Sequence, residues 1–412
     1  MRIDTSNDSV SADRDYSRVL LQQGRPLLDH DWNEHSSIVA GQMRAAVRAI
    51  YGEHGGPAGL KCGFVPYIGD SGLQLRRGFY TVDGFTVTCP AGSEPASTDP
   101  HTGDAVVALP ADPGRYLMYL EVVETTETAA INGRLSERAL PGIDLAARAR
   151  LSSRVRFEAL KTVSPAPLIQ TWLDAYDHAN PAVPPVTVPM SILAERAQAR
   201  PNQLLRLERH SHAETGWKLS DNNSFALFSV LAQDGGSSTP GQVPRPRLTI
   251  DVGSLAGWTP SKGQYVELLT REQLAFEEPG ELHCVRRADH AHPDMGQSGR
   301  ARMICEIELE SSKASPAKAE FLRVWDAVVQ FADATAQVGD YWLLPARLGQ
   351  DVGNEARFHR PVRRLAPLAL LELSADREPD IVRRYQRAVG VPWRDVDQDF
   401  EGLPRKGKTG GA

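Results

Sequence analysis

Residues 78–88 read GFYTVDGFTVT, and this short stretch decides the fold class. Apolar side chains fall at alternate positions on both sides of Asp83-Gly84, a residue pair typical of two-residue β-hairpin turns. A period of two places one set of side chains on one face of a strand. The stretch therefore predicts two antiparallel strands, 79–82 and 85–88, joined by a tight turn.

Short β-branched and aromatic runs of the same kind recur along most of the chain, separated by turn residues. They cover residues 73–75, 116–123, 204–208, 225–231, 247–252, 265–270, 283–286, 303–309, 341–345 and 367–373. We predict a mainly β, multi-domain protein with antiparallel sandwich-like or barrel-like domains, preceded by an extended arm and an amphipathic helix.

Composition shifts along the chain predict five regions. They are an arm and helix (1–57), a first β-domain (58–160), a proline-rich linker (161–200), a second β-domain (201–375) and a C-terminal helix with a basic tail (376–412). The linker contains Pro181, Pro184, Pro185 and Pro189, which favour a stiff extended segment. The second β-domain has enough strand-like runs for one domain or two subdomains.

Net charge and hydropathy exclude several classes of protein. The 412 residues contain 46 Lys and Arg against 52 Asp and Glu, a net charge of -6, which disfavours nucleic-acid binding. No apolar run reaches the roughly 18 residues of a membrane span, and the polar start lacks the apolar region of a signal peptide. We expect cytoplasmic synthesis without membrane insertion.

The sequence contains none of the usual signatures of phosphate-binding loops, dinucleotide folds or zinc proteases, so we expect no catalysis and no cofactor. Two polar clusters leave alternatives open. Asp29, Asp31 and Glu34 indicate the start of a helix, or a metal or hydrolytic site. The second cluster comprises His283, Cys284, His290 and His292, and it indicates a polar loop or a zinc site.

The predicted helix has Asp31 as its cap and glycines after residue 51 as its stop. Its apolar side chains share one face, at a helical spacing. They are Val39, Met43, Ala46, Val47 and Ile50. Arg44 and Arg48 face away from them. Such a stripe needs a surface to cover it, either on this chain or on another.

Residues 16–34, YSRVLLQQGRPLLDHDWNE, resemble the opening signature Y-S-x-V-x-x-Q-Q-G-R-x-x-x-D-x-D-W-N-E of a largely uncharacterised bacterial family. Members of that family occur with phage tails and phage-tail-like contractile injection systems. Residues 78–84 are similar to its G-x-Y-Y-V-D-G motif, and residues 339–347 to its G-D-Y-W-L-I-P-A-R motif. The resemblance spans about residues 13–373.

This resemblance implies a structural part of a tail-like particle, at the baseplate or the fibre attachment. It also implies multiple copies in a symmetric assembly, other tail or baseplate proteins as partners, and no catalysis. The matching docking-arm residues are Tyr16, Gln22, Gln23, Arg25, Asp29, Asp31, Trp32, Asn33 and Glu34. The β-domain signature residues are Tyr80, Asp83, Gly84, Tyr341, Trp342, Pro345 and Arg347.

The arm combines many hydrogen-bonding groups with Trp32, a large amphipathic anchor. The arm is therefore expected either to dock on another protein or to pack on the first β-domain as a lid. The alternative function is a carbohydrate or receptor binder at a tail tip, in which Trp217 and Trp258 stack on sugar rings. A third class is a hydrolase that uses Asp29, Asp31 and Glu34.

Overall fold

A computed structural model describes residues 16–90, 98–136, 145–161, 164–177, 203–210, 216–234, 245–294, 302–310, 318–329, 336–346 and 357–387. Three sequence predictions lie outside these residues: Arg347, the proline-rich linker beyond residue 177, and the basic tail.

The described chain is mainly β, as predicted, with strands in five antiparallel sheets. Its α-helices are α1 (Asp29–Tyr51), α2 (Ala166–Asp177) and α3 (Arg271–Ala275). Its strands are β1 (His54–Gly55), β2 (Pro66–Gly69), β3 (Gly72–Leu75), β4 (Gly78–Val82), β5 (Phe85–Cys89), β6 (Ala105–Val106), β7 (Gly114–Glu127), β8 (Arg148–Ala159), β9 (Gln203–Arg209), β10 (Trp217–Ser220), β11 (Leu227–Asp234), β12 (Arg247–Asp251), β13 (Tyr265–Leu269), β14 (Glu281–Ala288), β15 (His292–Asp294), β16 (Arg302–Leu309), β17 (Phe321–Trp325), β18 (Ala327–Val329), β19 (Tyr341–Ala346), β20 (Arg357–His359), β21 (Arg364–Leu373) and β22 (Pro379–Arg384). Within the described ranges, none of the helices combines the length and the apolar character that crossing a membrane requires.

The chain divides into two compact units that are not consecutive in sequence. The arm unit comprises, among the described residues, 16–124, 151–177 and 362–387, and the barrel unit comprises those in 125–150 and 178–361. This division differs from the sequence-based boundaries, because β21 pairs with β7 across more than 200 residues. Periodicity within a segment carries no information about such distant pairing.

The arm unit contains the hairpin that residues 78–88 predict. β4 and β5 pair in antiparallel register, with Val82 opposite Phe85. Asp83 (φ 49°) and Gly84 (φ 78°) both adopt the left-handed conformation that a tight hairpin turn requires. The hairpin belongs to a sheet of order β1-β4-β5, beside sheets of order β2-β3-β6 and β22-β21-β7-β8. Its inward side chains, Tyr80 and Val82, join one large apolar core.

The predicted C-terminal helix is wrong where the structure describes the chain. Residues 379–384 form β22, which pairs antiparallel with β21. The charged residues of this segment made it look like a solvated helix. Pairing with β21 satisfies its backbone hydrogen-bonding groups in a sheet instead.

The barrel unit contains a closed antiparallel barrel of six strands. β12 pairs with both β11 and β16, which closes the order β12-β11-β17-β13-β14-β16 into a ring. Phe228, Ile250 and Leu322 belong to its apolar core. A separate five-stranded sheet, of order β18-β10-β9-β19-β20, has its own core around Trp217 and Trp342.

Candidate docking surface

Exposed large apolar side chains are concentrated at the start of the described chain. Thirteen such side chains are exposed among the described residues, and nine of them lie between residues 16 and 50. The nine are Tyr16, Leu20, Leu21, Leu27, Leu28, Trp32, Val39, Met43 and Ile50. Single exposed apolar residues are ordinary, whereas a cluster marks an interaction surface. We call this set the apolar ridge.

Helix α1 begins three residues earlier than predicted. Leu28 is the N-cap and Asp31 lies inside the first turn, so the prediction of Asp31 as the cap is wrong. The Asp31 carboxylate still accepts a hydrogen bond from the Leu28 backbone N–H (3.4 Å), and it lies 3.2 Å from His30 Nε2. A carboxylate in the first turn also complements the helix dipole. The helix ends at Gly52, as the glycine stop predicts.

The two faces of α1 have opposite surroundings. Trp32, Val39, Met43 and Ile50 are 65%, 40%, 64% and 62% exposed, and at 100° per residue they share one face. Ile38, on the opposite side, is the one described side chain of the helix that is buried. The stripe predicted from sequence is therefore real, and the described part of the chain leaves it exposed.

Ion pairs and cation–π contacts fix the other side of α1 to the hairpin. Arg48 lies 3.1 Å from the Asp83 carboxylate, and Arg364 donates to the same carboxylate (3.1 Å). The Phe85 ring also contacts two guanidinium groups, with Arg44 4.4 Å and Arg364 3.9 Å from its centre. These contacts hold the stripe facing away from the sheet.

Gly84 allows the helix to come this close. A Cβ at this position would lie 2.5 Å from the Arg44 carbonyl oxygen, nearer than real Cβ contacts come. The Asp83-Gly84 pair thus forms the turn and also provides the seat of α1. The sequence predicted the turn. It gave no sign of the seat, because the two segments are about 40 residues apart.

The signature residue Tyr80 fixes the chain just after α1. Its hydroxyl and His54 Nδ1 share a hydrogen bond of 2.8 Å, and both side chains are buried. Burial, reinforced by the positive charge of Arg387, lowers the pKa of His54 to about 3. The Asp83 N–H also donates to the Glu53 carbonyl (2.6 Å), so both ends of this connection are bonded to the hairpin.

The polar arm residues are exposed to solvent. Gln22, Gln23, Arg25 and Asn33 belong to this group, while Asp29 is exposed and Glu34 is half-buried in the first turns of α1. The Gln42 side chain donates to the Ser17 carbonyl (3.4 Å), which places the arm beside the helix. Trp32 is exposed, so among the described residues it does not pack on the first β-domain in the way that the lid alternative requires.

The second signature lies in the barrel unit, where Tyr341 and Trp342 are buried. The Tyr341 ring stacks between Arg206 (3.5 Å) and His359 (5.0 Å), and Trp342 packs edge-on against Phe358. Pro345 pairs in register with Leu204 within β19 and β9. These residues build a sheet and do not join the ridge.

The carbohydrate alternative loses one of its two stacking residues. Trp217 lies in β10, fully buried, so it cannot stack on a sugar ring. Trp258 ends a short 3-10 helix, Gly253–Trp258, and its side chain lies outside the described part.

The predicted metal-ligating residues do not converge. His283 Nε2 lies 3.4 Å from the Glu281 carboxylate, and His292 Nδ1 contacts the His290 carbonyl (3.3 Å). In the described ranges, no three His, Cys, Asp or Glu side chains are grouped to hold a metal ion, and this includes Asp29 and Asp31. The four cysteines are free thiols.

Sequence reasoning missed a buried ionic cluster in the barrel unit. Lys218 Nζ lies 3.0 Å from Glu208 and 2.7 Å from Glu267, and these side chains are almost wholly buried. Glu267 also accepts hydrogen bonds from Trp325 Nε1 and from the Gly280 N–H, both 3.0 Å. A lysine and a glutamate inside apolar strand runs were the available signal. The cluster is paired within the protein, so it fixes packing and offers nothing to a ligand.

Residues 1–187, which include the ridge and Gly84, match a protein family described as a family of unknown function (DUF6519). Curated proteins give no match. The chain is similar to a solved structure entitled "Crystal structure of TssK", at 10% identity, over 79% of this chain and 98% of that chain. The TM-score of 0.19 is too low to infer a common fold.

Proposed function

We propose that this protein is a structural component of a phage-tail-like contractile injection particle, in its baseplate or fibre-attachment region. It attaches to neighbouring proteins through the apolar ridge. The observation that carries this proposal is the concentration of nine exposed large apolar side chains between residues 16 and 50. The motif resemblance of residues 16–34 supports the class of particle.

The ridge has the energetic properties of an interface. Each large apolar side chain that passes from water into a packed contact stabilises the contact by roughly 1.5–3 kcal/mol when its burial is complete. The helix is already formed and fixed by Arg44, Arg48 and Arg364, so docking does not have to order it. A preformed apolar face therefore favours tight attachment.

The arm adds the means for specificity. Leu20, Leu21 and Leu27 flank the exposed polar residues Gln22, Gln23 and Arg25 in the sequence. Interfaces combine a few apolar anchors with a polar rim whose hydrogen bonds fix the register. The same chain segment supplies both kinds of group.

Particle incorporation tests this proposal. Cells that produce the particle would express the full chain with Leu21→Lys and Trp32→Lys, or with Val382→Lys as a matched exposed apolar control in the arm unit. We expect the wild type and the control to sediment with the sheathed particle and the ridge variant to remain unbound. Normal incorporation of the ridge variant would contradict the proposal. Selective binding of the isolated chain to a glycan array would favour a receptor binder instead.

A further inference from the structure

We propose that the exposed stripe of α1 pairs with α1 of a second copy of this chain, in antiparallel orientation about a two-fold axis. This inference rests on the proposed role of the ridge as an interface, and it names the partner of the helical part.

The stripe has the spacing of a coiled-coil seam. Positions 32, 36, 39, 43, 46 and 50 follow one another at intervals of four and three residues, the repeat that keeps a helix face against a partner helix. They are occupied by Trp32, Ser36, Val39, Met43, Ala46 and Ile50, and each of these residues is exposed. The Ser36 hydroxyl donates to the Trp32 carbonyl (2.9 Å), so this polar side chain is satisfied within its own helix.

An antiparallel pair centred on residue 41 brings these positions into matching layers. Trp32 of each copy faces Ile50 of the other, Val39 faces Met43, and Ser36 faces Ala46. Large side chains therefore meet large ones at the two ends and at the centre, and the small Ser36 and Ala46 meet in the layers between. A parallel pair would place the two Trp32 rings opposite each other and the two Ser36 hydroxyls together.

Charge favours the same arrangement. The first turn of α1 contains Asp29 and Asp31, and the last turn contains Arg48. Antiparallel packing opposes the helix dipoles and keeps the acidic first turns of the two copies apart. Parallel packing would bring the acidic ends together.

The positions that flank the seam carry no carboxylate, lysine or arginine. They are Asn33, His35, Ala40, Gln42, Val47 and Ala49. Two identical helices can therefore approach without like-charge repulsion at the seam. Arg44 and Arg48 lie on the far side, in ion pairs with Glu124 and Asp83 of their own unit.

The available area fits a pair of copies. A helix of 23 residues is about 35 Å long at 1.5 Å per residue, which gives about three heptads. With on the order of 100 Å² for each fully buried large apolar side chain, the four partly exposed large side chains of the stripe offer on the order of 200 Å² per copy. The flanking residues and the arm beside Gln42 extend this toward the roughly 800 Å² per partner of a stable interface.

Sedimentation velocity of the full chain over a range of concentrations tests the pairing. We expect a reversible dimer in the wild type and at least about a 100-fold weaker dimer in Met43→Lys, because the two-fold axis removes each contact twice. Ala45→Lys is the matched control, since Ala45 is exposed on the same helix but lies outside the seam, and it should dimerise as the wild type does. A monomeric wild type at the highest soluble concentration would overturn the inference. Equal effects of the two substitutions would overturn it as well.

Disulfide cross-linking tests the orientation. Val39→Cys and Met43→Cys chains, mixed and oxidised, should form the mixed 39–43 disulfide well above either homodimeric disulfide. The wild type, which carries the four native cysteines, gives the background. Predominant 39–39 and 43–43 disulfides would mean parallel packing and would overturn the antiparallel pair.

The two proposals fail in different ways. If the chain is monomeric but Met43→Lys abolishes particle incorporation, another protein covers the stripe, and the proposed function survives the loss of this inference. If the dimer forms but ridge variants enter the particle normally, the proposed function fails and the pairing survives.

Discussion

The barrel unit buries charges, whereas the arm unit exposes apolar side chains. Lys218, Glu208 and Glu267 lie inside the barrel unit with their charges paired at 2.7–3.0 Å. In the arm unit, Trp32 and Met43 project into solvent from a helix whose charged side is held against the hairpin. Buried charges and exposed apolar side chains both depart from the usual distribution of residues between core and surface, but they differ in what completes them. The first is complete within the chain, and the second leaves an exposed surface, to which we propose that a partner binds.

Removal of Glu267 should cause the largest loss of stability, because it breaks the buried ionic cluster of the barrel unit. Glu267→Gln leaves Lys218 buried with Glu208 as its remaining carboxylate partner, and we expect a loss of about 3–5 kcal/mol in the free energy of unfolding. Urea unfolding followed by tryptophan fluorescence measures it, since Trp217 and Trp325 are buried nearby.

Glu320→Gln is the matched control. Its partner Arg271 lies 3.8 Å away and both side chains are about half exposed, so the change should be below about 1 kcal/mol. Similar losses in the two variants would mean that the buried cluster is no more important than a surface ion pair.

Acid should destabilise the arm unit through His54, the buried histidine just after α1. The pKa of His54 is lowered to about 3 in the folded chain, against 6.5 unperturbed, so only the unfolded chain binds this proton between those values. The free energy of unfolding therefore falls as the pH is lowered through this window, by about 1.4 kcal/mol per pH unit. His54→Gln should remove this contribution, measured as the difference between the pH profiles of the two proteins. Identical slopes would show that His54 does not exclude the proton.

A methyl group at Gly84 should displace α1 from the hairpin. Gly84→Ala combines a left-handed backbone with a contact of 2.5 Å to the Arg44 carbonyl, and we expect a loss of about 2–3 kcal/mol. Gly72→Ala has a similar positive φ with no atom within 4 Å of the new Cβ, so it should cost only the backbone strain, about 1–2 kcal/mol. Thermal unfolding compares them, together with protease cleavage of α1. Equal losses without cleavage would argue against the seat.

The smallest effect should come from the stripe itself. Met43→Ser should change the unfolding free energy of the dilute monomer by less than about 0.5 kcal/mol, because the side chain contributes little to its own chain. Met118→Ser, at a fully buried position, should cost about 2–5 kcal/mol. Chemical denaturation at low protein concentration measures both. A large loss in Met43→Ser would mean that the stripe is covered within the chain.

Local features of this protein were predictable from the sequence, and distant pairings were not. The Asp83-Gly84 hairpin follows from turn chemistry, and the stripe of α1 follows from a helical period. The charged composition of residues 379–384 does not reveal their pairing with β21, although β21 precedes them by only a few residues. The alternative sugar-binding role of Trp217 fails because nothing local distinguishes an exposed tryptophan from one in a core.

The sequence by itself determined that α1 has one apolar face, because the period of a helix fixes which side chains share a side. Only the tertiary structure decided that this face remains open. The hairpin holds α1 by its arginines, through contacts between segments far apart in the chain, and the side opposite the stripe is the one that packs. Which side of a helix is covered depends on its neighbours in space, and the periodicity of the helix does not encode them.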